Sequence, residues 1–485
     1  MDKNLGLKIG LEIHQQLDTS KLFCRCPSIL REDEPDVIVK RKMYAVAGET
    51  GVTDIAALHE YEKGKEFIYQ GYKDTTCEIE FDESPPMEID QEALEIALQI
   101  SLLLNAKPVE VSQVMRKTVI DGSNTSGFQR TLIIAKNGFV ELENKKKISI
   151  PAICLEEDAA RAIKRTEKTT IFRLDRLGIP LVEIVTGPEI FLPEEAKEVA
   201  LKIGEILRAC KVKRGIGTIR QDVNLSISGG ARTEIKGVQE PNLIPKTIEN
   251  EIQRQHELVK QKKKVEETVR RAEPDGSTVF LRPLPGAARM YPETDVPLVY
   301  ISKELIKKLQ ANLPKLKSEI KLELMSKYKL SNEFASIIID ENKTEQFQAL
   351  AKEFSKASPL LIYKILILYP KEISSHEKIP IEHINEKMTG EIIKNLFRAL
   401  TKDEISESSI KDLMTDVSKG ISLEKAIPKH KTSAISSNEI ENEIDKILKE
   451  KPNLSIGAYM GLAMQKFKGK VEGKEIIEIL KRKIR

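Results

Sequence analysis

The hydrophobic pattern of the chain changes once, past its middle, and this change limits the folds available to it. Before the change, short runs such as residues 7–14 and 218–227 alternate apolar and polar side chains, which predicts half-buried β-strands. Residues 92–105 and 193–207 have apolar side chains at helical spacing and interrupt the strands. After about Ser302 the pattern predicts only lysine-rich amphipathic helices. The predicted fold class is therefore α+β, with an all-α part at the end.

The length of the chain, 485 residues, exceeds what one compact core usually organises, and it predicts about three domains. We place the α+β domain at 1–300, a helical domain at 301–405 and a helical tail at 406–485. Within the tail, the serine-rich residues 429–438 are typical of a surface loop.

The overall charge is nearly balanced and does not by itself predict a nucleic-acid partner. Lysine and arginine number 78 against 75 acidic residues, which gives a net charge of +3. Basic residues do cluster at 211–220, 260–264 and 481–485. Each cluster is typical either of a solvated face or of a phosphate-binding surface.

The five cysteines are too few and too scattered for a disulfide framework, which indicates a reducing compartment. With no apolar segment long enough to span a bilayer and no leader pattern, we expect a cytoplasmic protein without membrane attachment. Cys24 and Cys26 form a C-x-C pair, but no second C-x-x-C pair accompanies it. We therefore expect no zinc site.

Carboxylates and one histidine mark the first candidate site. Glu12 and His14 are two residues apart on a predicted strand and therefore share a face. They form either half of a divalent-cation site or a solvent-facing pair. Three adjacent carboxylates, at 156–158, follow another predicted strand. Glu183 interrupts an apolar strand, where a buried carboxylate needs a metal ion or a salt bridge.

Glycine-rich and polar segments give a second set of candidates, although the chain has no Walker A loop. Arg220, Asp222 and Asn224 share one face of the strand that follows a lone G-x-G. Residues 121–130 are dense in hydroxyl and amide groups, and form either a plain turn or a loop that lines a polar ligand. The proline-rich residues 282–295 combine a rigid backbone with charged side chains. This composition is typical either of a ligand-binding site or of a linker between domains.

Taken in order, these motifs resemble the GatB/GatE family, and within it the archaeal GatE group. The resemblance covers nearly the whole chain, and its matching segments are residues 10–28, 114–131, 155–161, 173–186, 214–224, 234–239, 282–297 and 456–474. It implies a glutamine-synthetase-like cradle domain, a helical domain and a YqeY-like tail that binds tRNA.

The resemblance also implies a ligase activity. ATP would phosphorylate the γ-carboxylate of glutamate on misacylated tRNA(Gln), and ammonia would then displace phosphate to give Gln-tRNA(Gln). The chain has no Ser-Ser-Lys amidase signature and no G-x-S-x-G elbow. Ammonia would therefore come from an asparaginase-like partner, the GatD subunit, in a heterotetramer with two copies of each subunit.

Site residues follow from the same resemblance. In the family, Mg²⁺ is held by residues that correspond to Glu12, His14, Glu183 and one of Glu156 and Glu157, with Glu157 the first choice. The resemblance implies a catalytic role for Glu12, His14, Glu157 and Glu183. Residues assigned to ATP lie in the matching segments or in the polar loop, and they are Ser123, Asn124, Arg220, Asp222, Asn224 and Lys236.

Two departures from the family pattern stand out. GatE proteins normally carry an insertion similar to aspartyl-tRNA synthetase, and residues 239–274 are too short to contain it. The zinc site of many GatB proteins uses two cysteine pairs, of which only Cys24 and Cys26 are present. Two other functions stay open at this point: a tRNA-binding chaperone without kinase chemistry, and a ligase acting on a small carboxylate without tRNA.

Overall fold

A computed structural model describes most of the chain, and its contacts divide it into two compact units that meet in sequence at Leu316 and Lys317. The described residues are 6–45, 47, 51–53, 55–284, 290–430, 437–452, 454–467 and 473–483. The three-part division of the sequence at 300 and 405 stays a prediction. The α+β class is confirmed, because strands fill the first unit and helices the second.

Strands make up most of the first unit. Their bounds are β1 Lys8–Gln16, β2 Val37–Arg41, β3 Glu66–Gly71, β4 Lys107–Pro108, β5 Val111–Ser112, β6 Met115–Thr118, β7 Phe128–Glu141, β8 Lys147–Glu157, β9 Arg161–Arg165, β10 Thr169–Arg173, β11 Pro180–Val185, β12 Ile219–Ser226, β13 Thr233–Lys236, β14 Thr268–Ala272, β15 Thr278–Pro283, β16 Met290–Pro292 and β17 Val299–Tyr300. The helices of this unit are α1 Ile55–Glu62, α2 Gln91–Leu103, α3 Pro193–Ala209, α4 Leu243–Lys260 and α5 Lys303–Ala311.

One large sheet organises the first unit. Its strand order within the described residues is β15-β14-β13-β12-β1-β11-β8-β7-β6-β16, and β4 pairs with β7. Neighbours are antiparallel except β13 and β14, which run parallel because α4 connects them. A smaller sheet has the order β2-β3-β10-β9, and β5 pairs with β17.

The two faces of the large sheet differ in chemistry. Ile9, Leu11 and Ile13 of β1 are buried in the apolar core, which also contains residues of α2, α3 and α4. The residues between them in sequence, among them Glu12 and His14, point to the opposite face. The alternation predicted from the sequence is thus confirmed, and so are the two predicted helices, which correspond to α2 and α3.

The described residues of the second unit are helical. They form α6 Lys317–Tyr328, α7 Asn332–Asp340, α8 Thr344–Glu353, α9 Pro359–Tyr363, a π-helical turn Lys364–Leu368, α10 Tyr369–Glu377, α11 Ile381–Lys387, α12 Gly390–Thr401, a 3-10 turn Glu407–Ser409, α13 Ile410–Ser418, α14 Leu423–Lys429, α15 Ser437–Glu450, α16 Ile456–Phe467 and α17 Gly473–Lys483.

Two apolar cores lie within this second unit, one built from residues 324–426 and one from residues 440–480. Most of the predicted loop at 429–438 lies outside the described residues. Among the helices that the structure describes, none is long and apolar enough to cross a lipid bilayer.

The chain segment after α2 packs closely against Gly138 in β7, and this contact can be tested by substitution. A Cβ atom at this position would lie 2.8 Å from the backbone oxygen of Leu104 and 2.8 Å from Ala106 Cβ. We expect Gly138→Ala to lower the free energy of unfolding by roughly 1–3 kcal/mol, because backbone cannot move aside cheaply. Urea-induced unfolding followed by circular dichroism measures the change.

Gly204 in α3 is the matched control for this test. The three atoms nearest to a Cβ atom there all belong to the flexible end of the Arg208 side chain, the closest at 3.1 Å. Gly204→Ala should therefore leave stability unchanged or raise it, by up to about 1 kcal/mol, through its better helix propensity. Equal destabilisation by both substitutions would contradict the packing described for Gly138.

Candidate active site

Three potential metal ligands meet on the open face of the large sheet. In the antiparallel pair β1–β11, His14 lies opposite Glu183, and Glu12 is two residues before His14 on the same face. His14 Nε2 is 3.3 Å from Glu183 Oε2 and 3.4 Å from Glu12 Oε1. Ligand atoms of these three residues all lie within 4.8 Å of one another. We call Glu12, His14 and Glu183 the carboxylate–histidine cluster.

Glu156 faces the same cluster from the neighbouring strand β8. Cys154 pairs with Glu183, and Glu156, two residues further on, shares its face. Lys117 Nζ lies 2.6 Å from Glu156 Oε1 and 3.5 Å from Glu183 Oε2, so one ammonium group connects both carboxylates. Glu156 also accepts a hydrogen bond from the Gln129 side-chain amide at 3.1 Å.

Glu157, the first choice of the sequence analysis, points to the other side of β8. Its carboxylate lies 3.4 Å from the Arg130 guanidinium, which also donates to Glu293 at 2.8 Å. These three side chains are buried, and they form an ion network beneath the sheet. The structure thus brings Glu156 and not Glu157 to the cluster, because successive residues of a strand face opposite ways.

Burial and like charge give the cluster unusual proton affinities. Burial, followed by the nearby Glu183 charge, raises the pKa of Glu12 to about 7. Burial also raises the pKa of Glu156, and the Glu183 charge adds to this. Glu183 itself is buried, but the Lys117 charge and the hydrogen bond with His14 outweigh burial and lower its pKa. A second cation placed among these carboxylates would relieve their mutual repulsion.

Cationic and amide side chains surround the cluster in a cleft of about 730 Å³. Three of the residues that the sequence analysis assigned to ATP, namely Arg220, Asp222 and Lys236, line this cleft, and their role toward ATP stays a prediction. Each is held by a neighbour: Arg220 donates to Asp158 at 2.7 Å, and Lys236 donates to Asp222 at 2.8 Å. Asn224 does not line the cleft; its side chain accepts a hydrogen bond at 3.1 Å from Arg232, which does.

Ser123 and Asn124 lie elsewhere, which differs from the sequence analysis. The Ser123 hydroxyl donates to Asp121 at 2.6 Å, and the Asn124 side chain accepts from Ser126 at 2.7 Å. Neither residue lines the cleft; Asn124 lines a narrow pocket beside Glu157 instead. These two side chains find their partners within the loop, as in a plain turn.

The structure also adds residues to the cleft that the sequence analysis did not single out. Lys117, Gln129, Arg232 and Arg271 line it, and Arg282 joins them from the proline-rich segment, of which 285–289 lie outside the described residues. Lys117 and Gln129 stand within matching segments, which was the only signal that the sequence offered. Their roles depend on strand pairing, which sequence spacing does not reveal.

Glu156 and Glu157 should respond differently to loss of charge. We expect Glu157→Gln to lower the free energy of unfolding by roughly 1–3 kcal/mol, because buried Arg130 loses a charged hydrogen-bond partner. Glu156→Gln should change it by less than about 1 kcal/mol, because Lys117 keeps Glu183 and like-charge repulsion falls. Urea-induced unfolding of both variants provides the comparison, and a larger loss for Glu156→Gln would refute the assigned orientations.

Comparison with known protein families gives two matches for this chain. Residues 7–307 match the family described as GatB/GatE catalytic domain, and residues 345–484 match the family GatB_Yqey, described as a GatB domain. The first match spans the large sheet and the cleft, and the second spans most of the helical unit.

Individual relatives are, by name, GatE subunits of glutamyl-tRNA(Gln) amidotransferases. The one from Methanocaldococcus jannaschii is 37% identical, over 100% of this chain and 99% of the relative. The one from Thermococcus gammatolerans is 35% identical, over 99% of this chain and 98% of the relative. The one from Pyrococcus horikoshii is 36% identical, over 95% of this chain and 93% of the relative. The first alignment extends over 633 positions against 485 residues here, so that relative has a large segment without a counterpart. With both family matches and these identities, the chain belongs to the GatB/GatE family.

Proposed function

We propose that this chain is the activating subunit of a glutamyl-tRNA(Gln) amidotransferase. It uses ATP to phosphorylate the γ-carboxylate of glutamate on misacylated tRNA(Gln), and it amidates the activated group to give Gln-tRNA(Gln). The observation that carries the proposal is the carboxylate–histidine cluster in the open cleft, with cationic side chains around it. Relatives named as glutamyl-tRNA(Gln) amidotransferase subunits support the choice of substrate.

The cluster suits a magnesium ion. Glu12, Glu183 and Glu156 supply carboxylate oxygens, the ligand type that Mg²⁺ prefers, and His14 adds a nitrogen ligand. Burial, with the Glu183 charge second, raises the pKa values of Glu12 and Glu156, and a bound cation would stabilise both carboxylates in their charged form. When bound, Mg²⁺ would neutralise phosphate oxygens of ATP as charge moves to the leaving diphosphate.

The cationic side of the cleft would hold the nucleotide. Arg220, Arg232 and Arg271 present guanidinium groups, which bind phosphate oxygens through paired hydrogen bonds. Asp158 orients Arg220 from beneath, and Asp222 and Glu234 hold the Lys236 ammonium, whose pKa these carboxylates raise despite its burial. These contacts fix the directions of the positive groups before substrate arrives, which favours in-line transfer.

The two chemical steps balance without a protein nucleophile. The substrate γ-carboxylate oxygen attacks the γ-phosphorus of ATP, the bond to ADP breaks, and an acyl phosphate forms. Ammonia then attacks the acyl carbon, phosphate leaves, and ammonia loses one proton to give the amide. The sequence has no Ser-Ser-Lys amidase signature, which supports an asparaginase-like GatD subunit as ammonia source. We include a heterotetramer with two copies of each subunit in this proposal.

The same proposal extends to the architecture. The large antiparallel sheet with an open charged face supports a glutamine-synthetase-like cradle, and the helical unit supports a helical domain followed by a tRNA-binding tail. Basic residues at the end of α17 are in part neutralised, since Arg482 and Lys483 pair with Glu441 and Asp445 of α15. Lys481 is exposed at the same helix end and is our candidate phosphate contact in the tail.

Activation should depend on Glu183 and on the charged tRNA. We expect Glu-tRNA(Gln) to stimulate phosphate release from ATP in the presence of Mg²⁺, and Glu183→Ala to lower the stimulated rate at least about 100-fold through loss of a metal ligand. Phosphate release by the full chain, with and without Glu-tRNA(Gln), measures both effects.

Glu167→Ala is the control for this prediction, because Glu167 is an exposed carboxylate in the β9–β10 turn of the same unit. Its rate should equal that of the wild type. If tRNA binds but neither wild type nor Glu167→Ala hydrolyses ATP with any charged tRNA, the chain is a tRNA-binding protein without kinase chemistry. Stimulation by free glutamate alone would instead indicate a small-carboxylate ligase.

Binding of tRNA should weaken steeply with salt, because phosphate contacts release counterions. We expect Lys481→Ala to weaken the affinity for tRNA(Gln) and to reduce the slope of log K against log salt concentration by about 0.7–0.9, the value for one lost phosphate contact. Filter binding between low and physiological salt measures the slope. The exposed Lys356, in the loop after α8, gives the control substitution Lys356→Ala, and an equal loss in both variants would reject the tail contact.

A further inference from the structure

A second cavity lies beside the cleft on the open face of the large sheet. It has a volume of about 520 Å³ and is enclosed by the loop 212–218 and by side chains of the segment 16–30. Gln16 forms part of its wall and lies two residues after His14 on β1, so both side chains point to the same face. The loop belongs to the basic cluster at 211–220, which is typical of either a solvated face or a phosphate-binding surface.

One buried carboxylate connects the second cavity to the cleft. The Gln16 side-chain amide donates to Asp158 Oδ2 at 2.6 Å, and Arg220 of the cleft donates to the other oxygen, Oδ1, at 2.7 Å. Asp158 is buried, so both of its oxygens are fixed between the two spaces. A molecule that crosses this group would have one end at the carboxylate–histidine cluster and the other end in the second cavity.

The separation of the two places matches the substrate of the proposed reaction. A strand rises about 3.4 Å per residue, so Gln16 lies roughly 7 Å beyond His14 along β1. In a glutamyl ester, as many bonds separate the γ-carboxyl carbon from the esterified ribose carbon as two residues of backbone contain, which is roughly 7 Å when extended. A γ-carboxylate at the cluster therefore brings the ribose of the terminal nucleotide to the second cavity.

We propose that the second cavity holds the terminal adenosine of the aminoacylated tRNA. This inference rests on the proposed function and gives its substrate a defined subsite. The loop 212–218 and the segment 16–30 then form the walls around the nucleoside, and the glutamyl group crosses Asp158 to reach the cluster.

The side chains of the second cavity suit the three parts of a nucleotide. Asp18 has an exposed carboxylate, which can accept a hydrogen bond from the ribose hydroxyl next to the ester. Lys213 and Arg214 offer cationic groups to the phosphate that precedes this ribose. Leu30 is half-exposed in the wall and gives apolar surface for the base.

An unsatisfied hydroxyl in the wall also points to a polar ligand. Ser28 is buried, and its Oγ atom has no hydrogen-bond partner among the residues that the structure describes. The Lys213 ammonium donates to the backbone oxygen of Ser28 instead and keeps further hydrogens for a ligand. Because buried polar atoms are usually paired, a hydroxyl or ring nitrogen of the nucleoside would supply the missing partner of Ser28.

The nucleoside of ATP has a separate place in this arrangement. The guanidinium groups proposed for its phosphates include Arg232 and Arg271, which line the cleft and do not line the second cavity. They lie across the sheet from β1, toward β14, whereas the second cavity lies along β1 past its last residue. Two nucleosides can thus approach the cluster from different directions, as phosphoryl transfer from ATP to an ester-linked glutamate requires.

Binding of two RNAs tests the subsite without any turnover. One is uncharged tRNA(Gln) with its complete 3′ end, and the other lacks only the terminal adenosine. We expect the wild-type chain to bind the complete tRNA about 10-fold more tightly, and Asp18→Ala to lower this ratio below about 3-fold, because a charged hydrogen bond to the ribose is lost. Filter binding at one salt concentration measures the ratio.

Glu34→Ala is the matched control for this test. Glu34 is an exposed carboxylate in the same connection between β1 and β2, it does not line the second cavity, and its loss changes the net charge equally. Its ratio should equal that of the wild type. Equal binding of both RNAs by the wild type would overturn the proposal, and so would a ratio that Asp18→Ala leaves unchanged.

Steady-state kinetics distinguish the terminal adenosine of tRNA from that of ATP. Asp18→Ala should raise the KM for Glu-tRNA(Gln) about 10-fold and leave the KM for ATP unchanged. A rise in the KM for ATP instead would assign the second cavity to ATP and overturn the proposal.

The subsite and the proposed activity can fail separately. Phosphate release stimulated by Glu-tRNA(Gln), in a chain that binds both RNAs equally, would keep the activity and remove the subsite. The expected binding ratios without any phosphate release would keep the subsite and remove the activity.

Discussion

β1 pairs antiparallel with β11 on one side and with β12 on the other, and these two registers determine where the charged groups of the cleft lie. The first register sets His14 beside Glu183, and the second sets Glu12 beside Asp222. If either pairing shifted by one residue, Glu12 and His14 would face the apolar core, which α3 helps to form. Burial of Ile9, Leu11 and Ile13 on the other face therefore secures the geometry of the polar face.

Acidic and basic side chains occupy different parts of the cleft. Carboxylates gather around His14, and guanidinium groups gather on the strands β12 to β15. Lys236 of β13 lies between two carboxylates on the guanidinium side, and Lys117 of β6 lies between two carboxylates on the opposite side of the carboxylate–histidine cluster. A polarised surface of this kind suits a ligand that itself carries both a cation and a polyanion. Burial, and then repulsion by the Glu183 charge, raises the pKa of Glu12, so this arrangement of carboxylates is costly without a bound cation.

Local sequence pattern predicted several helices and strands correctly but carried no information on which strands pair. Period-two alternation identified β1 and β12, and helical spacing identified α2 and α3, because burial of one face imposes its period on the sequence. The choice between Glu156 and Glu157 could not be made, because a strand alternates and its absolute phase depends on β11. The sequence analysis likewise found no partner for the Cys24–Cys26 pair, because Cys77, whose sulfur lies within 4.8 Å of theirs, is some 50 residues further along the chain.

The crossover from β13 to β14 has a consequence for how proteins of this family can vary. After α4 the chain passes through a solvent-exposed turn at residues 261–264, and Lys262 there has a positive φ of 55°. The flanking α4 and β14 complete their packing without this turn, so extra chain at that place need disturb no strand register. The fold therefore allows additional chain to be inserted after α4 while the large sheet and its cleft keep their geometry.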